Sequence, residues 1–162
     1  MTAVTESLLV IYGAGAHARK VCHAWTQAGG RVEAFVDDDP AATSPVPGVA
    51  LRPASSLETT PANTALFVAI GGADARRRLV ELYAGRGWRL PAVVHPRASV
   101  APDARLDEGV FIGAGAVVES AAHIGRGAIV DIGALVDHDA RVGAFAHLRA
   151  GMVCAAGSEW NE

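Results

Sequence analysis

Asp137-His138-Asp139 places two carboxylates on either side of one imidazole, and a second imidazole, His147, follows nine residues after His138. An imidazole gains and loses its proton near neutral pH, and a neighbouring carboxylate can orient the ring and stabilise its protonated form. His138 with Asp139 therefore has the chemistry of a general base, with Asp137 as the less favoured partner. The same triplet also reads as a solvated acidic corner, and spacing alone leaves both readings open. His123 adds a third imidazole, but spacings of fifteen and nine match no compact metal-ligand motif, and no metal is expected. Cys22 and Cys154 stand in apolar settings without a CxxC pattern and read as packing residues.

A second constellation lies near the N-terminus. The apolar run Leu8–Tyr12 ends in Gly13-Ala14-Gly15-Ala16-His17-Ala18, a relaxed GxGxxA pattern, with Asp37 and Asp38 about 20 residues further on. Glycines there let a backbone approach a pyrophosphate, which the free N–H groups and the dipole of a following helix favour. An acidic residue after the next strand can accept from a ribose or a base. A tight strand-to-helix turn without a ligand has the same signature. His17 reads equally as a ligand contact and as a polar helix start, and His23 as a helix-surface residue.

These side chains need a frame. Around the glycine turn the pattern alternates: strand Leu8–Tyr12, then a helix with Val21, Ala24, Trp25 and Ala28 inward, stopped at Gly29-Gly30. A strand at 32–36, a loop at 41–60 with a short strand near 49–51, a strand at 65–70 and a helix at 74–85 follow. The last helix puts Leu79, Leu82 and Tyr83 on its apolar side. Alternation of this kind predicts a small parallel α/β domain of Rossmann type over residues 1–92.

From Val94 the pattern changes to a strict six. Every sixth residue from Val94 through Cys154 is apolar, eleven positions in all, and small residues dominate a second series four residues later. Gly109, Gly115, Gly127 and Gly133 often precede the small residue. A helix would repeat by three and four and an amphipathic strand by two, so neither explains six. Short strands that stack coil on coil do, with branched side chains inward and small residues at the corners. Residues 93–162 are thus predicted to form a left-handed parallel β-helix of hexapeptide repeats, between three and four three-sided coils.

Composition narrows the classes. The chain has 162 residues, 51% hydrophobic, with a formal net charge of −3 and interspersed charges. No basic patch recruits nucleic acid, and no run is long enough for a membrane span. Two separated cysteines and an N-terminus without a basic leader point to a cytoplasmic protein.

The segments 11–21 (IYGAGAHARKV), 35–39 (FVDDD), VAIGG with Arg76 and Arg77 following, 93–102 (VVHPRASVAP) and 135–151 (LVDHDARVGAFAHLRAG) resemble the sugar O-acyltransferase family of the sialic-acid O-acetyltransferase and bacillosamine N-acetyltransferase type. The resemblance spans essentially the whole chain. It implies an acyltransferase that moves an acetyl group from acetyl-CoA to a nucleotide-linked amino sugar or a sialic-acid-like sugar, working as a homotrimer. It further implies that His138 takes the acceptor's proton with Asp139 polarising it, and that His147 and a backbone amide near Ala156 meet acetyl-CoA. Gly13, Gly15, Ala16, His17, Asp37 and Gly71 would line the nucleotide-sugar site in the N-terminal domain. Family members continue with further hexapeptides after residues 154–157, so the coil is expected to be incomplete on the donor side. A nucleotide-sugar-binding remnant without activity is the alternative expectation, and a nicotinamide enzyme the third.

Overall fold

The computed structural model describes residues 8–58 and 63–162; the reading of residues 1–7 as leaderless, and the end of the loop at Thr59 and Thr60, lie outside the described residues. Strand β1 (Leu8–Tyr12) leads into helix α1 (Ala16–Gln27), and β2 (Arg31–Asp37) follows. Then come β3 (Ala50–Pro53), a 3-10 turn (Ala54–Leu57), β4 (Thr64–Val68) and helix α2 (Ala73–Gly85). The four strands pair in parallel in the order β3-β2-β1-β4. Strand β1 therefore has β2 on one side and β4 on the other. The strand order reverses there, and the carboxyl ends of the strands open a crevice.

The helices face differently from the expectation at two positions. Val21 and Ala24 of α1 are buried, but Ala28 is exposed, because the helix has already ended at Gln27. On α2, Leu82 is 43% exposed and the inward residues are Arg76, Val80 and Tyr83. That face repeats at four and three as a helix requires, but it starts from an arginine.

Two-residue strands then recur every six residues, from β5 (Val93–Val94) to β16 (Glu159–Trp160). They stack as three parallel sheets, each pairing residue i with i+18. One face holds β5, β8 (Phe111–Ile112), β11 (Ile129–Val130) and β14 (His147–Leu148). The second holds β6 (Ser99–Val100), β9 (Val117–Val118), β12 (Leu135–Val136) and β15 (Val153–Cys154). The third holds β7 (Arg105–Leu106), β10 (His123–Ile124), β13 (Arg141–Val142) and β16. This is the left-handed parallel β-helix the six-residue period predicts. The count differs: twelve strands form rather than eleven, because Trp160 takes the next inward position and packs against the core. Each inward Val, Ile or Leu removed from water contributes about 1.5–3 kcal/mol, so the stacked column is the main source of the coil's stability.

The second residue of each strand points inward, and the first points out. The outward residues give the three faces different surroundings. Val93, Phe111 and Ile129 share one buried cluster with Ala18, Val21 and Cys22, so α1 lies on the first face. Arg105, His123, Arg141 and Glu159 make the third face charged and solvated. There Asp107 accepts from Arg105 Nε at 3.2 Å and from His123 Nε2 at 2.9 Å. Val117, Leu135 and Val153 run up the second face, with Leu135 and Val153 40% and 55% exposed.

Candidate active site

The corner between β12 and β13 carries the Asp-His-Asp triplet. His138 is exposed, and its Nδ1 lies 2.8 Å from Asp139 Oδ2. With Nδ1–H donating to the carboxylate, the lone pair of Nε2 is left for a substrate proton. The hydrogen bond to Asp139, with Asp137 adding its charge, raises the His138 pKa above its ordinary value. Asp137 Oδ1 instead accepts from the His138 backbone N–H at 2.7 Å, so it shapes the turn while Asp139 holds the ring.

The next coil stacks its own corner on this one. Gly157 N–H donates to the His138 carbonyl at 3.0 Å, which stacks the turn of Ala155, Ala156 and Gly157 on the Asp-His-Asp corner. No side chain in that turn extends beyond a Cβ, so an acyl group can approach the backbone closely. His138, Asp139 and Ala156 are thus brought together by one register step of eighteen residues.

His147 is not among them. It opens β14, half a coil away, on the face that α1 covers, as the next rung after Val93, Phe111 and Ile129. Its Nε2 lies 3.4 Å from Asp131 Oδ2. Asp131 is only 8% exposed and also accepts from Lys20 Nζ, at 2.8 and 3.0 Å, and from the Ile132 N–H at 2.8 Å. Burial pushes its pKa up, but the Lys20 ammonium and the Ile132 N–H outweigh burial and hold it below the ordinary carboxylate value. Burial likewise lowers His147, against the pull of Asp131. Lys20 is on α1, so an ion pair spanning 111 residues of sequence joins helix to coil. Spacing gives no sign of it.

The residues assigned to the nucleotide gather at the carboxyl edge of the parallel sheet. Gly13 adopts φ +115°, and a Cβ on it would lie 2.9 Å from the Ala69 carbonyl oxygen, so glycine lets the turn pass under β4. Asp37 Oδ2 accepts from the Ala14 N–H at 2.8 Å and Oδ1 from the Asp39 N–H at 2.9 Å. Asp37 thereby fixes the glycine turn to the end of β2 while each oxygen keeps a lone pair. Gly15 caps α1 and Gly72 caps α2, neither helix having a side-chain cap. Gly15, Ala16, Gly71 and Gly72 are exposed, so free N–H groups of two helix starts face the same edge. A cleft of about 330 Å³, lined by Asp37, Asp38, Leu51 and Arg52 among others, opens beside them.

His17, the second residue of α1, turns its ring edge-on to Phe111, with centroids 5.0 Å apart. Its Nε2 is buried without a partner among the described residues. Burial lowers its pKa to about 4, so the ring stays neutral at physiological pH. Among the described residues, no three His, Cys, Asp or Glu side chains are grouped to hold a metal ion, and no helix is long and apolar enough to cross a membrane.

A family model described as the PglD N-terminal domain matches residues 8–83. The acetyltransferase domain of PglB from Neisseria gonorrhoeae FA1090, solved with acetyl coenzyme A, is 31% identical with a TM-score of 0.79, over 87% of this chain and 69% of that one. A point mutant of perosamine N-acetyltransferase from Caulobacter crescentus, solved with CoA and GDP-perosamine, is 33% identical with a TM-score of 0.82, over 93% and 72% of the two chains. WeeI from Acinetobacter baumannii AYE shares the fold at 23% identity and a TM-score of 0.79, over 91% of this chain and 71% of that one. With a glycine turn at the sheet edge, a coil of six-residue repeats, and identities above 30% over more than two thirds of the PglB domain and of the perosamine enzyme, this chain is an acyltransferase and belongs to the hexapeptide-repeat sugar acetyltransferases that carry a PglD N-terminal domain.

Proposed function

We propose that the protein transfers the acetyl group of acetyl-CoA to an amino or hydroxyl group of a nucleotide-linked sugar, with His138 as general base. The observation that carries this reading is the His138–Asp139 pair at 2.8 Å on an open corner beside Ala156. His138 Nε2 receives the proton as the acceptor nitrogen or oxygen bonds to the acyl carbon. The C–S bond then breaks, and His138 returns the proton to the departing sulfur. The Ala156 amide would face the oxygen on which negative charge develops. Bound acetyl-CoA supplies the activated acyl group, and the turn of small residues leaves room for it. No step needs Cys22 or Cys154.

The nucleotide is assigned to the sheet edge formed by Gly13, Gly15, Ala16, His17, Asp37 and Gly71, with diphosphate oxygens at the free helix N–H groups. In this reading residues 1–92 hold the nucleotide and residues 93–162 carry the chemistry. Support comes from the bound ligands of relatives: acetyl coenzyme A for the PglB domain, CoA and GDP-perosamine for the perosamine enzyme.

His147 sits half a coil from His138, so one protomer does not collect both. The apolar second face runs up to the His138 corner, and a neighbouring copy seated on it would offer its own β14–α1 junction there. We therefore read the working unit as a homotrimer with sites between protomers.

The test is transfer itself. Purified protein with acetyl-CoA and a set of UDP- and GDP-linked amino sugars should release free CoA thiol. His138→Ala should lower kcat by about 10²- to 10⁴-fold while nucleotide binding, read by calorimetry, is kept. Nucleotide binding without thiol release from any of these sugars would favour the binding-only reading.

A further inference from the structure

Arg76 is the largest fully buried side chain of the described residues, 1% exposed, and none of its hydrogen-bond partners is a carboxylate. A buried charge without a counter-ion is tolerated only where its donors are satisfied. Here the guanidinium donates to four carbonyls. Nε reaches Gly127 O at 2.8 Å, and Nη2 reaches Phe145 O at 2.6 Å. Nη1 reaches both Ile70 O at 2.8 Å and Gly71 O at 2.7 Å. One planar fork thus holds three segments that are distant in sequence.

The position of those segments matters. Residues 70 and 71 belong to the loop after β4, which leads to the start of α2 at the nucleotide edge. Gly127 and Phe145 occupy the same corner in successive coils, the corner that docks on α2. Phe145 has φ +62° without being glycine, and its ring lies over Gly127, where a Cβ would come within 2.5 Å of it. A non-glycine residue keeps such a backbone only where its surroundings over-determine it. The Arg76 bond to its carbonyl is one of the constraints, and the Phe145 N–H bond to Arg126 O at 2.8 Å is another. His147 follows two residues later.

We propose that Arg76 is a positioning residue that locks the loop 70–72 of the nucleotide edge to the coil corner preceding His147, so that acceptor and donor sides keep one fixed separation. A fork–carbonyl lattice is needed because a lysine ammonium presents a single point on a flexible stem and cannot span both sides. The kinetic consequence rests on the proposed reaction; the structural coupling does not.

Two measurements on Arg76→Lys decide it. In hydrogen exchange without substrate, the amides of 70–72 and 145–147 should speed up together, by about tenfold or more, while β1 and the inner coils stay as in the wild type. Arg77→Gln, which removes only a guanidinium stacked 4.5 Å over the Phe145 ring, should leave 70–72 unchanged. In steady-state kinetics well below its unfolding temperature, Arg76→Lys should raise the nucleotide-sugar KM by about tenfold or more. Free guanidinium should restore part of that KM in Arg76→Ala. Wild-type KM values for both substrates in folded Arg76→Lys, or faster exchange at only one of the two segments, would overturn the proposal. So would failure of both variants to fold, since Arg76 would then be a requirement of folding. Because the exchange experiment uses no substrate, it decides the coupling even where the proposed reaction fails.

Discussion

Asp139 has two tasks at one position. Its carboxylate holds His138 Nδ1, and its backbone sits at φ +59°. The left-handed region costs a residue with a Cβ roughly 1–2 kcal/mol, somewhat less for aspartate, whose short side chain bonds locally. Six of the nine positions at this corner step from 109 to 157 are glycine, with φ between +63° and +70°, and Asp139 is one of three exceptions. Stability alone would favour glycine there, so the carboxylate is held at a cost that orientation of the imidazole explains. Asp139→Gly should therefore raise stability by about 0.5–1 kcal/mol and lower kcat/KM by about tenfold or more. The pH profile gives the sign of the electrostatic part. In the proposed reaction the base form of His138 is the active one, and Asp139 raises its pKa. Removing the carboxylate lowers that pKa, so the acidic limb of kcat/KM should move to lower pH. A limb that stays in place, or moves up, would remove Asp139 from the role.

At the scale of elements, the same corner separates backbone effects from chemistry. Ala121 occupies the equivalent position one coil earlier at φ +57°, directly under Asp139 but exposed and without a polar side chain to lose. Ala121→Gly should raise the unfolding free energy by about 0.5–1 kcal/mol with kinetics unchanged. Gly125 has the opposite constraint: a Cβ there would lie 2.6 Å from Ala144 N and 2.9 Å from Gly143 C, backbone atoms of the next coil. Gly125→Ala should lower stability by about 1–3 kcal/mol, read by denaturant unfolding alongside Ala121→Gly. The coil itself was legible because a column of stacked strands demands an apolar residue at every sixth position, and no other fold period imitates six. Trp160 escaped the series because an indole does not match a branched-aliphatic template, although its position does. Arg76 stands in the sequence pattern only as part of the motif after VAIGG, and its burial escaped because an arginine on a helix ordinarily faces water. The available signal was its place in register with Val80 and Tyr83, a charge on the buried stripe. Lys20–Asp131 had no such signal, since the pair depends on how α1 docks across the coil.

At the scale of the whole molecule, the three faces of the coil differ in what covers them. Helix α1 covers the first, and water suits the charged ladder of the third. The second has Val117, Leu135 and Val153 in a column, with Ile132 exposed at the adjoining corner. Single exposed apolar residues are ordinary, but an aligned column along a sheet face loses its contact with water most readily against another protein surface. A like copy is the partner that fits the proposed working unit, in which His138 and His147 come from different protomers. Leu135→Glu with Val153→Glu places two charges in that column, and burying them against a like face is unfavourable by several kcal/mol. Light scattering on the eluting protein should read the wild type as a trimer and the double variant as a monomer, with the α/β sheet and coil intact by circular dichroism. The monomer should still bind nucleotide at the edge of the parallel sheet, because that edge lies within one chain, yet fail to release CoA thiol. A double variant that stays trimeric would move the interface off this face, and a monomer that transfers acetyl groups at the wild-type rate would leave His147 with some other task.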